Sequence, residues 1–128
     1  MDAIAVARRL YDGFDARDPK AIRESMADDF VGQVSAGMPL GVGGRHEGPD
    51  AMLNDCWLPV FAAYDVRLDV DRYLPNGDDV VIAIGHYRGT ERASERPFEA
   101  RFAHVLVVRP DGISALEQIT DTRRWVVS

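Results

Sequence analysis

The period of the apolar pattern changes once along the chain, from helical spacing to alternation. Residues 2–16 place Ala3, Ile4, Ala7, Leu10, Tyr11 and Phe14 on one helical stripe, with Asp2 set to cap its start. Asp18-Pro19 reads as an N-cap followed by a first-turn proline, opening a second short helix that buries Ile22 and Met26. A short strand over 29–35 follows, then the run Gly37 to Gly48, too glycine-rich for a helix or a central strand. A third helix is expected from about Pro49 to Ala63, its stripe formed by Met52, Leu53, Cys56, Trp57, Val60, Phe61 and Tyr64, with Pro59 expected to kink or interrupt it. From residue 65 the alternation takes over. Strands are predicted at 65–74, 79–89, 97–109 and 113–126, joined in part by turns at Asn76-Gly77 and Pro110-Asp111-Gly112.

Ladder arithmetic then places side chains on faces. With Asp111-Gly112 as a two-residue turn, Phe102 faces Asp121 and His104 faces Ile119. His104 and Asp121 become diagonal neighbours on a wall that also carries Phe98, Ala100, Phe102, Leu106, Val108, Ile113 and Ile119. Desolvation on such a wall raises a carboxyl pKa and lowers that of an imidazole, so the pair is a candidate for proton chemistry. A purely structural role stands beside this reading: His104 bonded to a carbonyl, Asp121 paired with Arg123 or Arg124. Glu117 shares the face by parity. The opposite face carries Val80, Ile82, Ile84, Val105, Val107 and Leu116. Both faces are apolar and the helices suffice for one, so a homodimer through the sheet is expected.

The chain has 128 residues, consistent with a single domain over 1–128. A net charge of −6 argues against nucleic-acid partners, whose phosphates need clustered Lys and Arg. Lys20 is the only lysine and lies on a helix face, which disfavours Schiff-base chemistry. Cys56 is the only cysteine, excluding an internal disulfide, and its place in an apolar stripe makes it a small core residue. His46, His86 and His104 lack ligand spacing, so no metal is expected. No cofactor is implied. The longest apolar stretch, Val80 to Ile84, is too short for a membrane span and no leader pattern opens the chain, so a cytoplasmic protein is expected. The glycine run fails as a phosphate loop because His46 stands where its last glycine belongs. It reads either as a mobile rim carrying Met38, Leu40 and Val42 or as plain surface loop, with no role assigned to His46.

Three N-terminal helices followed by a long antiparallel sheet resemble the nuclear-transport-factor-2-like superfamily, which includes ketosteroid isomerases, limonene-epoxide hydrolases and SnoaL-like polyketide cyclases. The residues carrying the likeness are Ala27-Asp28-Asp29-Phe30, Glu47-Gly48, Phe102-Ala103-His104-Val105, Asp111-Gly112-Ile113 and Gln118-Ile119-Thr120-Asp121. The resemblance implies an α+β fold, a cone-shaped roll of N-terminal helices packed on a curved, mainly antiparallel sheet. The SnoaL-like branch is the nearest. The isomerase base would fall near Val34 and its tyrosine near Leu10, so neither role is filled. The hydrolase arginine and aspartate would fall in Gly85-His86-Tyr87, whereas Asp121 matches the carboxylate that activates water there and the catalytic aspartate of the cyclases.

Two functions follow as expectations. In the first, a hydrophobic small molecule enters the cone, Asp121 takes a proton and His104 donates to the developing oxyanion, in an aldol-type cyclisation, an isomerisation or an epoxide opening. Tyr11, Phe14, Trp57, Phe61, Tyr87, Phe102 and Ile119 would shape the pocket. In the second, the same cone binds a hydrophobic ligand or supports assembly without catalysis.

Overall fold

The computed structural model describes residues 1–128. The first helix, α1 (Ala3–Asp15), is capped by Asp2, whose carboxylate accepts from the Ala5 N–H at 3.1 Å. Asp18 caps α2 (Pro19–Glu24) by accepting from Lys20 and Ala21 at 3.1 and 3.2 Å. The helix stops two residues earlier than its pattern suggests. Met26, expected on α2, instead opens β1 (Met26–Val34), because the Ser25 carbonyl is taken by the Ile113 N–H at 2.9 Å and draws the chain into the sheet. The glycine run is only partly loop. It contains a 3₁₀ turn, Pro39–Gly41, and an edge strand, β2 (Gly44–Glu47), antiparallel to β1.

The third helix, α3, spans 49–63 without a break, but changes pitch. It is α-helical over Pro49–Met52, π-helical over Leu53–Trp57 and α-helical again over Leu58–Ala63. Pro59 has no N–H to offer the preceding turn, and the helix absorbs this by widening, so that the Leu58 N–H reaches the Leu53 carbonyl. The α pitch is thus interrupted by a π turn, and Cys56 and Trp57 are both buried.

The remaining strands are β3 (Tyr64–Asn76), β4 (Val80–Glu91), β5 (Pro97–Arg109) and β6 (Gly112–Thr120). The sheet order is β2-β1-β6-β5-β4-β3, antiparallel throughout except for the parallel β1–β6 pair. Helices cover one face of this curved sheet, giving the α+β architecture expected. A bulge at Asp71, between the Val70↔Gly85 and Arg72↔Ile84 pairs, helps β3 bend. Glycine is required beside it at Gly85 and further along β4 at Gly89, where a Cβ would strike the carbonyl oxygen of Asp69 or Asp65.

The β5–β6 register differs from the expected one. Arg109 pairs with Gly112, so Pro110-Asp111 form the turn, and Ser114 is then bulged between the Val107↔Ala115 and Val108↔Ile113 pairs. His104 consequently faces Gln118, Ala103 faces Ile119 and Phe102 faces Thr120. A one-residue slip reverses every side chain beyond it. Leu116 and Gln118 point into the core, whereas Glu117 and Ile119, expected inside, are exposed on the other face, Ile119 at 52%. The strand also ends at Thr120 rather than at 126; a 3₁₀ turn, Thr122–Arg124, leads into a terminal segment that leaves the sheet.

No helix is long and apolar enough to cross a membrane. The close β3–β4 approach and the helix cap can be compared directly. Asp18→Ala should cost about 1 kcal/mol of unfolding free energy, and Gly85→Ala on the order of 3 kcal/mol because backbone must move. Urea denaturation measures both, and equal small losses would contradict the close crossing.

Candidate functional site

The interior polar groups come from four elements and meet at His104. This ring stands on β5, on the concave face, and is 2% exposed. Its Nδ1 lies 2.7 Å from the hydroxyl of Tyr11 on α1, and its Nε2 lies 2.8 Å from the hydroxyl of Tyr87 on β4. Gln118 of β6 donates through Nε2 to the Tyr87 oxygen at 2.8 Å. The amide is oriented from outside: the Ser35 N–H just beyond β1 can only donate, and it reaches Gln118 Oε1 at 3.2 Å. The Ser35 hydroxyl also donates to the Gln118 carbonyl at 2.9 Å, tying the same residue twice. Aromatic rings clamp the imidazole: Phe102 and Tyr11 stack on it at centroid distances of 4.2 and 5.8 Å.

Burial keeps this network neutral. It lowers the His104 pKa from 6.5 to about 3 and raises those of Tyr11 and Tyr87 well above their ordinary value. The nearby Cys56 thiol is pushed up to about 12 by the same cause. The interior therefore offers hydrogen bonds and no charge at neutral pH.

Beside the network lies a cavity of about 10 Å³, room for about one water molecule. Nearly all of its lining is apolar or aromatic, including Met38, Trp57, Phe61 and Trp125, with the Tyr87 and Gln118 side chains as its hydrogen-bonding edge. Trp125, in the terminal segment, is 4% exposed and packs on Tyr87, Phe98 and Tyr64 at 4.9, 4.7 and 5.2 Å. Two bonds hold that segment down. The Tyr64 hydroxyl donates to the Val126 carbonyl at 2.6 Å, and the Ser128 N–H donates to Glu91 at 3.0 Å.

The candidate residues separate into two groups. His104, Tyr11 and Tyr87 form the network, Trp57 and Phe61 line the cavity, and Phe14 packs behind them on Trp57 and Phe61 at 5.0 and 5.6 Å. Phe102 is buried against the His104 ring. Asp121 and Ile119 do not join them. Both are exposed and border a shallow surface pocket with Ile84, Arg101 and Thr120, because the Ser114 bulge reverses β6 and the strand ends before Asp121. The expected His104–Asp121 pair is therefore absent, and with it the carboxylate base. Gln118, Ser35 and Trp125 were not anticipated. A tryptophan after the charged run Asp121 to Arg124 is the one sequence sign that this segment returns to the core. His46, on β2, bonds the Val42 carbonyl at 2.7 Å, outside the network.

The arrangement is that of a helix-backed cone with its polar groups inside, and the family comparison agrees. Residues 7–116 match the SnoaL-like domain model, and the chain belongs to that family. Among solved structures it is similar to an NTF2-like protein of Burkholderia thailandensis E264, at 27% identity and a TM-score of 0.86 over 97% of this chain and 94% of that one. It is also similar to TerC co-crystallised with polyporic acid, at 23% identity and a TM-score of 0.85 over 96% and 94%. A candidate polyketide cyclase of Xanthomonas campestris pv. campestris matches at 16% identity and a TM-score of 0.84 over 98% and 94%. No curated protein sequence matches the chain.

The neutral imidazole has a measurable consequence. A folded pKa near 3, below the unfolded value near 6.5, means that the unfolded chain binds the extra proton between those values. The contribution is complete above pH 6.5 and is lost as pH falls towards 3, on the order of 4 kcal/mol in full. Asp29, held low by Arg109, and Glu91, held low by Ser94, lose stability in the same direction at lower pH. Wild-type stability should fall through this window, and His104→Gln should flatten the part above pH 4; an NMR titration showing His104 protonated at pH 6 would contradict the assignment.

Proposed function

We propose that this SnoaL-like domain is a small-molecule enzyme of the cyclase or isomerase kind, binding a largely apolar substrate in the cone and polarising one of its oxygens. The observation that carries the reading is His104 held neutral between the Tyr11 and Tyr87 hydroxyls, with Gln118 beside Tyr87 at the edge of an apolar cavity. The candidate cyclase among its structural neighbours supports the reaction class. Tyr87 is neutral at working pH and so acts as a donor, aimed at an oxygen on which negative charge develops. Such a site suits a substrate acidic enough to enolise by itself. In an aldol closure the enol carbon attacks the carbonyl carbon, the C=O π bond opens to an alkoxide, and the enol proton ends on that oxygen. A second reading, a ligand-binding protein without catalysis, is favoured by the lack of any carboxylate among the groups bonded to His104.

A 1,5-diketone whose attacking carbon also carries a second carbonyl, so that it enolises without a base, and whose closure and dehydration give an absorbing cyclohexenone, tests the two. Tyr87→Phe should slow the reaction about 10²-fold, while Asp121→Asn leaves both rate and melting temperature unchanged. Equal rates for the wild type, Tyr87→Phe and buffer would remove the catalytic reading and leave the binding one.

We further propose that the protein works as a cytoplasmic homodimer through the uncovered sheet face. Ile82, Ile84, Val105 and Val107 lie there half-buried beside the exposed Ile119. Next to them Arg88 pairs with Asp69 and Glu99 at 3.0 and 3.1 Å, giving the face both charge signs as a self-complementary surface needs. Light scattering should find a dimer at micromolar concentration and Val105→Arg should make it monomeric; a monomeric wild type would overturn this.

A further inference from the structure

The cavity at the Tyr87–Gln118 edge has room for about one water molecule, so the volume that an organic guest needs has to come from a wall that moves. Most of the wall is fixed. Trp57 and Phe61 stand on α3, and Val66 and Leu68 on β3 within the sheet. Met38 lies in the loop after β1, which is pinned by the Met38 N–H on the Ser35 carbonyl at 3.1 Å and by the two bonds from Ser35 to Gln118. Trp125 is the one lining residue that stands outside helix, sheet and pinned loop.

Residues 121–128 run along the surface and lie beyond the stretch matched by the family model. Trp125 is the only buried residue after Gln118, whereas Arg124 and Val127 are exposed, so its indole is set inward from solvent like a stopper. From Trp125 onward the chain makes no backbone-to-backbone hydrogen bond. Three bonds through side chains hold it instead. The indole Nε1 donates to Thr120 Oγ1 at 3.4 Å, the Tyr64 hydroxyl to the Val126 carbonyl at 2.6 Å, and the Ser128 N–H to Glu91 at 3.0 Å. A segment with so few ties opens locally, at less cost than unfolding the sheet beneath it.

We propose that residues 121–128 are an autoinhibitory strap, which closes the cone with the Trp125 side chain and has to release that side chain before a guest enters. This rests on the cone being the ligand site and concerns how that site is reached. Withdrawing the indole removes the ring that packs on Tyr87, Phe98 and Tyr64 and joins the cavity to solvent. The guest competes with the protein's own side chain, so the apparent affinity is the intrinsic one reduced by the open fraction. A change that loosens the strap therefore tightens binding. The tethers Tyr64 and Glu91 bond neither Tyr87 nor Gln118, so their removal leaves the polar edge of the cavity intact.

Free indole, which matches the stopper in size, serves as the probe. In the wild type, NMR should show the Trp125 indole N–H exchanging with deuterium by local opening, faster than the amides of β5 and with little dependence on low urea. Tyr64→Phe and Glu91→Ala each remove one tether and should bind indole about fivefold more tightly than the wild type in calorimetry, the worth of one net hydrogen bond. Exchange of the Trp125 N–H only at the rate of the β5 amides would overturn the strap and leave the cone reading standing. Equal indole affinity in the wild type and both variants would do the same. Local opening with no indole bound by any of the three proteins would remove the strap's role and the cone reading together.

Discussion

One extra residue in β6 sets the chemistry of the interior. Ser114, bulged opposite the Val107–Val108 step, advances the strand by one position, and the period of two turns that advance into a complete exchange of faces. Gln118 enters the core and meets Tyr87; Glu117 and Ile119 leave it. Without the bulge, the same strand would present an acidic residue to His104 in place of an amide. The parallel pairing of β6 with β1 anchors this register from the other side, with Gly32 facing Leu116 and Gln33 facing Glu117. Ser35 then follows directly and grips Gln118 through its N–H and its hydroxyl.

A neutral interior follows from that geometry. Placing an ionised carboxylate beside His104 would require a charge to be desolvated among Phe102, Leu106 and Leu10, all fully buried. Two phenols give the ring a partner at each nitrogen without that cost, and the amide of Gln118 bonds one of those phenols. Ionisable groups gather on the opposite side, where Asp71, His86, Glu99, Arg88 and Asp69 form a chain of contacts over three strands. The sheet thus separates two electrostatic environments by the thickness of one backbone.

Much of this architecture was legible in the sequence. Helical spacing in α1, the Asp18-Pro19 start of α2 and the alternation of β3 to β5 are local signals, and they place His104, Tyr11 and Tyr87 on the concave side. What could not be read was the position of an extra residue in a ladder. A bulge is decided by pairing with two neighbours at once, β5 and β1, and Ser114 carries no local mark of it. The same holds for the terminal segment. A strand to 126 is what the sequence suggests, but the chain leaves the sheet after Thr120 and packs Trp125 against Tyr64, Tyr87 and Phe98. Pro59 acts as its missing N–H dictates: the α pitch is interrupted, by a wider turn just before it.

The π turn and the terminal segment bring to the cavity the only two tryptophans of the chain, Trp57 from one side and Trp125 from the other. Neither indole has a counterpart elsewhere to contribute background emission. The protein therefore carries its own optical probe, in which both fluorophores sit at the wall of the interior cavity and their ultraviolet emission follows the polarity of that space.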